Sequence, residues 1–532
     1  MNKIKSFSFK PMSALTVQLL LIVVLCLSGA VLQGNGFLSM THYHQVFFLT
    51  ILFLIYFAML YSFRLKGLLS HEDTAVTMMI LLGVLLRLSY VLLSGLYGRQ
   101  HDAGAFTGMG TDFINPGHIG YVEYIYKFHK LPDINPYTLF GYYHPPLHHI
   151  LSCLWLQLNI FLGVSEALAF ENLQILTLLY SCLCMVVTWR TLKLLKVSGK
   201  GMYIALAFLV FHPATIIMAG SVNNDMLTIL FMSLTLLFSL RFIRDKSLKN
   251  LVFLALIIGF GMITKLNSAV LAIPLAIIFL MHFISVIRKK DKRELLTWIR
   301  NYAIFAVIVM PIGLSWIIRN LVRFSEKPGV PVPGETSPMY TEPFSLWERL
   351  GIPSLSQLHL DFPFHPISAK ACCNTWAIMM HTSLFAEEYP TDLSDILLIL
   401  CQVVFVLALI MAVLTAVLLI AVLLNKQTCL EDRVFLLTGY VIMLISFAAF
   451  VVIYPYTCSS DFRYVTICLM YISIALGLGN KYYLQGSGSS KDQGSQKGAT
   501  KKAAPFLMHL INGGILAILL LIQIIYLFWE RW

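Results

Sequence analysis

Ionisable residues at the ends of hydrophobic stretches suggest chemistry on a ligand that carries a hydroxyl group. Asp102 follows the third hydrophobic stretch, at a membrane boundary where holding a charge is costly, and this makes it a functional candidate. A carboxylate at the mouth of a dry cavity can accept a proton from an incoming hydroxyl, so Asp102 is the candidate catalytic base. His101 beside it is a candidate substrate-binding residue. The alternative for Asp102 is a solvated acid at a helix end.

Polar residues at two further breaks in the apolar sequence suit an anionic group. Asn224 and Asp225 stand at the outer end of a predicted helix, where they either place a second carboxylate across a cavity or cap the next helix. Lys265 interrupts the apolar run 251–280, which is long enough for two spans if the chain turns there. Its ammonium either binds a phosphate at the membrane surface or extends to the interface without a ligand.

A late motif adds a second cation. Arg463 offers a planar guanidinium that can bind a phosphate with two hydrogen bonds, and Asp461 and Tyr464 flank it as candidate substrate-binding residues. Two cations and two or three carboxylates on one side of a membrane describe a site that binds an anionic lipid head and activates a nucleophile.

Three histidines, His144, His148 and His149, raise the question of a metal. His144 and His148 have the i, i+4 spacing of helical ligands, but Pro145 and Pro146 are expected to place His144 before the helix, and the sequence shows no third ligand. The favoured interpretation is histidines at the level of the lipid headgroups, with His144 as a substrate-binding residue. No metal site is therefore predicted, although the need for a divalent ion stays open.

The composition is that of an all-α polytopic membrane protein. Of 532 residues, 58% are hydrophobic and only 12% are charged. The formal net charge of +12 comes from short loops between apolar runs and not from one patch, which argues against nucleic-acid binding. The 10 cysteines show no metal spacing; Cys372, Cys373 and Cys458 fall in predicted outer loops, where a disulfide or free thiols are equally compatible.

Hydrophobic stretches predict about 13 transmembrane helices at about 20 residues per span. They begin near Ala14, Val46, Ala75, Glu171, Met202, Met226, Leu251, Ser268, Tyr302, Ile396, Val434, Val465 and Phe506. With a cytoplasmic N-terminus, roughly 25 basic residues fall on the cytoplasmic side, which favours this orientation by the positive-inside rule. The three polar motifs and Asp102 then share the outer face.

These spans divide the chain into segments. Residues 1–74 hold two N-terminal helices, and residues 75–318 form a central module with a first outer loop at 98–170. Residues 319–395 form a second outer loop, and residues 396–480 hold further spans. A flexible cytoplasmic linker rich in Gly, Ser and Lys follows at 481–505, before the last span at 506–532. Within the first outer loop, 146–162 is expected to form a helix along the outer surface. In the second, 381–388 with Ser383 and Glu387 is the candidate acceptor site.

The order of the motifs is similar to that of a known family. An outer Asp102, His-Pro-Pro-Leu at 144–147, Asn224-Asp225, Thr264-Lys265 and Arg463-Tyr464 follow one another on one side of the membrane. This order resembles the C-type membrane glycosyltransferases (GT-C), and within them the family of the protein O-mannosyltransferases and the aminoarabinose transferase of lipid A. The resemblance covers about residues 75–480.

The resemblance implies a GT-C fold and a sugar donor linked to polyprenyl phosphate. Asp102 would be the general base or would orient the acceptor hydroxyl, and Lys265 and Arg463 would hold the phosphate, which leaves as the sugar is inverted at its anomeric carbon. Three features depart from the family: Ala103 stands where protein O-mannosyltransferases have Glu, which weakens a protein acceptor; 319–395 is too short for the β-trefoil of the eukaryotic enzymes; and two helices precede the usual first one.

The sequence therefore predicts an inverting hexosyl- or pentosyltransferase that moves a sugar from a polyprenyl phosphate to a glycan, lipid or protein acceptor on the outer face of a plasma membrane, such as a bacterial inner membrane. The alternative is a transporter or lipid flippase without glycosyl transfer. Transporters show internal repeats and ionisable residues near the membrane midplane, whereas this chain shows no repeat of fixed period and carries its ionisable residues at outer helix ends. A membrane scaffold would give these residues no reason to share a side.

Overall fold

The computed structural model describes residues 12–97, 113–329, 334–353, 368–370, 372–387, 394–485 and 498–528. Across these ranges the protein is built from helices and contains no strand; one isolated antiparallel bridge pairs Tyr340 with Tyr456. The predicted all-α architecture is confirmed.

Among the described residues before the Asn224-Asp225 motif there are nine α-helices. In chain order these are α1 (Ala14–Gly34), α2 (His42–Leu65), α3 (Glu72–Leu93), α4 (Gly117–Phe128), α5 (Leu147–Phe161), α6 (Glu166–Glu171), α7 (Gln174–Leu194), α8 (Gly199–Val210) and α9 (Pro213–Ile217).

Ten α-helices follow this motif in the part of the chain that the structure describes. They are α10 (Asp225–Arg244), α11 (Leu248–Met262), α12 (Ala272–Arg288), α13 (Lys292–Phe324), α14 (Leu346–Leu350), α15 (Thr375–Phe385), α16 (Asp395–Leu424), α17 (Leu430–Ile453), α18 (Cys468–Gly479) and α19 (Gly498–Phe528). Several begin at side chains that accept a hydrogen bond from the first turn, as Asp291 does for α13 and Ser394 for α16.

Ten of the described helices are long and apolar enough to cross a membrane, or eleven if the bent pair Thr457–Val465 and Cys468–Gln485 forms one span. The chain is an integral, multi-pass membrane protein. A helix stands at each of the 13 predicted positions, but the count of 13 spans is not confirmed, since α8 has 12 residues and α11 has 15. Both are short because a polar or proline-containing break follows them, at 211–213 after α8 and at 264–265 after α11.

The two N-terminal helices differ in how they attach. Helix α1 packs against α3 and α7, whereas α2 contacts mainly α3 and buries only Gln45, Leu49 and Tyr56. Other apolar side chains of this helix, such as Phe47, Leu54 and Phe57, are exposed, as expected for a helix that faces lipid on one side.

Arg87 joins four helices in the interior. Its guanidinium is fully buried and donates to Ser181 Oγ at 2.9 Å, to the Val210 carbonyl at 2.8 Å and to Thr215 Oγ1 at 2.7 Å, besides the Gly83 carbonyl of its own helix. A buried guanidinium is tolerated when its donors find acceptors. Arg87 thereby ties α3 to α7 and to the α8–α9 break.

The described parts of the outer segments contain several helices. Helix α5 begins directly after Pro145-Pro146, as expected, and buries a face with His148 and His149 while Leu154 and Phe161 are exposed. Its position along the membrane surface stays a prediction. The second outer segment contributes α15, whose N-terminus is capped by Asn374 and which packs into the bundle.

The last helix begins earlier than expected. Helix α19 starts at Gly498, eight residues before the predicted Phe506, and residues 480–485 continue α18 as a π-helical turn. The predicted linker 481–505 is therefore helical at both ends among the described residues. The sequence Lys501-Lys502-Ala503-Ala504 consists of strong helix formers, which accounts for the early start.

Candidate active site

The break after α11 is held by hydrogen bonds from two other elements. Lys265 is extended (φ −158°, ψ 129°) between α11 and the short 3-10 helix Leu266–Leu271. The carbonyl of Ile263 accepts from the backbone N–H of Leu147 at 3.1 Å, and that of Thr264 accepts from Asn224 Nδ2 at 2.8 Å. Backbone groups that the break leaves without helical partners are thus satisfied, and the turn predicted at Lys265 is confirmed.

Lys265 forms an ion pair with Asp225. Its Nζ donates to Asp225 Oδ1, and the two side chains are 12% and 6% exposed. The carboxylate stands in the first turn of α10, where the helix dipole favours negative charge. Asn224 donates to Thr264, as described, and the side chain that accepts from the first turn of α10 is Asn223, bonded to the Asp225 N–H at 2.9 Å. Lys265 is accordingly held inside the protein and does not extend to the interface.

Tyr464 lies next to both predicted cations. Lys265 Nζ is 4.9 Å from the centroid of the Tyr464 ring, and the Arg463 guanidinium carbon is 5.1 Å from it. Arg463 Nη2 also donates to the Tyr464 hydroxyl at 3.3 Å, and Asp461 Oδ1 accepts from the Arg463 N–H at 2.7 Å. Two cations near one electron-rich ring create a positive region beside two carboxylates, Asp225 and Asp461.

A cavity of about 960 Å³ opens beside this group. One wall is polar and includes Asp225, Lys265, Tyr464, His144 and His118. The other wall comes from α17, with Met443, Phe447 and Phe450. A cavity with one polar and one apolar wall suits a ligand that has a charged head and a hydrocarbon tail.

The polar wall continues into a group of aromatic rings from α4 and α5. His118 Nδ1 and His149 Nε2 are 2.9 Å apart in rings that are almost coplanar, and the His118 ring also stacks on His144 at 5.0 Å between centroids. Tyr121 stacks on His149 at 4.0 Å and on Tyr142 at 4.8 Å. Burial lowers the pKa of both His118 and His144 well below the usual value, and the nearby Lys265 and Arg463 lower it further. These imidazoles are therefore neutral at neutral pH.

The structure brings together most of the predicted site residues that it describes. His144, Asp225, Lys265 and Tyr464 line one cavity, and Arg463 touches Tyr464 from a neighbouring small cavity of about 210 Å³ that Asp461 also lines. Asn224 acts behind the cavity through Thr264. Their roles in catalysis and binding stay predictions. His101 and the candidate base Asp102 lie outside the described residues.

The candidate acceptor residues lie elsewhere. Ser383 is not in a loop: it is buried on α15, donates to the Met380 carbonyl at 2.7 Å and lines a separate apolar cavity of about 830 Å³. Glu387 follows the end of that helix and is half-buried. The structure does not bring either residue to the cavity of Lys265, because the apolar face of 375–385 packs α15 into the bundle.

No group of three His, Cys, Asp or Glu side chains in the described part of the chain is arranged to hold a metal ion. His144 precedes α5, as its prolines predict, while His148 points toward Ser152 and Tyr180. The ten cysteines, including Cys372, Cys373 and Cys458, are free thiols.

Sequence reasoning missed His118 and His149 as a pair. They are 31 residues apart and meet only because α4 packs on α5. The one available signal was Gly117-His118-Ile119-Gly120, a histidine between two glycines at the start of a helix after the loop that carries Asp102.

Three solved structures resemble this chain at low similarity. The Archaeoglobus fulgidus oligosaccharyltransferase tethered to an acceptor peptide is 12% identical to this chain, covers 84% of this chain and 54% of its own, and has a TM-score of 0.45. The Archaeoglobus fulgidus oligosaccharyltransferase AglB with an inhibitory peptide and a dolichol-phosphate is 12% identical, covers 83% of this chain and 55% of its own, and has a TM-score of 0.42. The chain thus spans about half the length of these enzymes. ArnT from Cupriavidus metallidurans bound to undecaprenyl phosphate is 16% identical over 82% of this chain and 85% of its own, with a TM-score of 0.35.

Sequence comparison gives one family. No curated protein matches the chain. The model of the dolichyl-phosphate-mannose-protein mannosyltransferase family matches residues 144–316, which include His144, Asn224, Asp225 and Lys265. The resemblance expected from the order of the motifs is therefore confirmed, and residues 144–316 of this chain are similar to the dolichyl-phosphate-mannose-protein mannosyltransferases.

Proposed function

We propose that this protein is an inverting glycosyltransferase that moves a sugar from a polyprenyl-phosphate donor to an acceptor hydroxyl. The observation that carries the proposal is the arrangement of Lys265 and Arg463 around Tyr464 at the wall of the cavity. The family match adds that the donor named for similar proteins is a mannose linked to dolichyl phosphate.

The two cations suit a phosphate that must leave. Lys265 supplies three N–H donors on a compact charge and Arg463 a planar fork, and both stand close to one ring. Asp225 neutralises and orients Lys265 while no phosphate is bound. Contacts that strengthen as charge develops on the leaving phosphate stabilise the transition state more than the ground state.

The apolar wall supports a lipid-borne donor. Met443, Phe447 and Phe450 of α17 face the same cavity as Lys265, so an isoprenoid chain can follow this helix while its phosphate stays with the cations. A water-soluble sugar nucleotide would leave this wall without a partner.

The reaction is a direct displacement. The acceptor oxygen forms a bond to the anomeric carbon from the face opposite the phosphate, the carbon–oxygen bond to the phosphate breaks, and its electron pair leaves with the polyprenyl phosphate. Asp102 takes the proton of the acceptor hydroxyl, a role that rests on its position in the sequence. The site faces the outer side of a plasma membrane, with the N-terminus in the cytoplasm, as the distribution of basic residues indicates.

The test uses the full-length protein in lipid nanodiscs. Binding of sugar-free polyprenyl phosphate and release of lipid phosphate from radiolabelled donors are measured for the wild type, Lys265→Met, Asp102→Asn and the control Lys193→Met, whose target lies on the surface. We expect Lys265→Met to lose phosphate binding, Asp102→Asn to bind but not turn over, and Lys193→Met to match the wild type. A wild type that neither binds nor cleaves any donor would refute the proposal, and lipid movement without cleavage would indicate a flippase.

A further inference from the structure

His118 and His149 form a hydrogen-bonded pair at the cavity. Both rings are nine-tenths or more buried, and their 2.9 Å contact joins Nδ1 of His118 to Nε2 of His149. An N–H···N bond between neutral imidazoles requires one nitrogen to donate and the other to accept. The bond therefore fixes which way each ring faces and links the tautomers of the two rings, because one must donate where the other accepts.

His118 is the member of the pair that a ligand can reach. It lines the cavity of Lys265, whereas His149 lies behind it on α5, between His118 and Tyr121. Because Nδ1 of His118 is used by His149, Nε2 is the nitrogen that remains for a ligand. Its stacking contacts with His144 and its bond to His149 hold the ring in place before any ligand arrives.

The rest of the cavity indicates which part of the ligand meets His118. The phosphate belongs with Lys265 and the lipid with the apolar wall of α17, as argued above. The sugar is bonded to the phosphate and must occupy the remaining polar wall, which the outer segment supplies through Tyr143, His144 and His118. A neutral imidazole beside two cations suits an uncharged hydroxyl and disfavours a cationic group.

We propose that His118, with its ring held and its tautomer linked to that of His149, is a specificity-determining residue that forms a hydrogen bond to one hydroxyl of the donor sugar. The inference rests on the proposed function and names the chemistry of its substrate: an uncharged sugar with a hydroxyl at the recognised position. His149 is a positioning residue, because it acts through His118.

The test compares two variants that each keep one half of the imidazole's hydrogen bonding. Asn places its amide near the position of Nδ1, so His118→Asn keeps the bond to His149 and loses the nitrogen for the ligand. Gln reaches the position of Nε2, so His118→Gln keeps the ligand contact and loses His149. The donors are dolichyl phosphate mannose and its monodeoxy analogues, and His282→Asn is the control, since His282 is a buried histidine bonded to Tyr302 in another part of the fold.

In the wild type we expect one deoxy donor to have about tenfold lower kcat/KM than the parent, the size expected for one lost hydrogen bond in a closed site. That discrimination should vanish in His118→Asn, persist in part in His118→Gln and be unchanged in His282→Asn. Binding of sugar-free dolichyl phosphate should stay within about twofold of the wild type in all three.

Three results would overturn the inference. The first is a wild type that treats all deoxy donors alike, which needs no variant. The second is equal loss of dolichyl phosphate binding and transfer in His118→Asn, which would assign His118 to the phosphate site or to stability. The third is a fall in kcat for all donors with a changed pH profile, which would make His118 a proton acceptor. A wild type that does not bind dolichyl phosphate at all would instead remove the proposed function, and this inference with it.

Discussion

The ion pair of Lys265 and Asp225 should be strongly coupled to the stability of the fold. Its side chains are 12% and 6% exposed, whereas the pair of Lys193 and Asp73 on the surface is 38% and 49% exposed at a distance of 2.7 Å. Two unit charges about 4 Å apart interact by about 4 kcal/mol at an effective dielectric constant of 20 and by about 1 kcal/mol in water. The two ion pairs therefore differ mainly in how far their side chains are exposed to solvent.

The perturbation is a double-mutant cycle of Lys265→Met and Asp225→Asn. Each single substitution leaves a charge in a poorly solvated site and should lower the free energy of unfolding by about 3–5 kcal/mol, while the double variant, which has neither charge, should lose far less. The same cycle on Lys193→Met and Asp73→Asn should give a coupling energy of at most about 1 kcal/mol.

Unfolding is measured by titration with a denaturing detergent in mixed micelles, with circular dichroism as the readout. The coupling energy is the difference between the double variant and the sum of the singles, so common effects of the detergent cancel. A coupling for Lys265 and Asp225 no larger than that of the surface pair would show that the site is open to water, and the argument for a desolvated phosphate site would fail.

Three further outcomes follow from the geometry. Gly141→Ala should lower the free energy of unfolding by more than about 2 kcal/mol in the same assay, because Gly141 has φ +87° and an added Cβ would stand 2.8 Å from the backbone of Gly117. Gly163→Ala is the control: Gly163 has the same φ but open space around it, so this substitution should cost only about 1 kcal/mol. Tyr464→Phe should keep dolichyl phosphate affinity within about threefold and Tyr464→Leu should lower it about tenfold, since both cations lie near the ring, whereas the hydroxyl accepts a 3.3 Å hydrogen bond from Arg463. Because the pKa values of His118 and His144 are lowered in the folded protein, the unfolded chain binds more protons than the folded one below about pH 6.5. The free energy of unfolding should therefore fall as the pH drops from about 7 to about 5.5, and it should fall less in His118→Asn. The same dependence of this free energy on pH in His118→Asn and the wild type would contradict the neutral imidazoles.

The membrane architecture was readable from the sequence because apolar runs of span length have few other uses. Lys265 and Asp225 were also readable as candidates, since a charge at a break in such a run is costly to keep. That they bond to each other was not, because it depends on how α10 and α11 pack. The two short helices were counted as spans because hydropathy measures composition and does not locate the break that ends each one.

The structure of the outer segments was predicted less accurately from the sequence, for a physical reason. Ser383 sits in a run with weak periodicity that could belong to a loop or to a buried helix, and only tertiary packing decides between them. His118 and His149 come from two short helices whose contact has no local signature. The motif histidine His144 was found because the prolines that follow it mark a helix start, a signal that is local in the chain.

The carbonyls of Ile263 and Thr264 have a mechanical consequence. One accepts from the start of α5 and the other from the side chain that precedes α10, so the peptide adjacent to Lys265 is clamped between the outer segment and the inner bundle. Sliding α5 away from α10 would leave one of these carbonyls without its donor, at a cost of about 1–3 kcal/mol. The ammonium of Lys265 should therefore move together with the histidines that precede and begin α5. The distance between these two parts of the cavity wall should then stay constant when the outer segment moves.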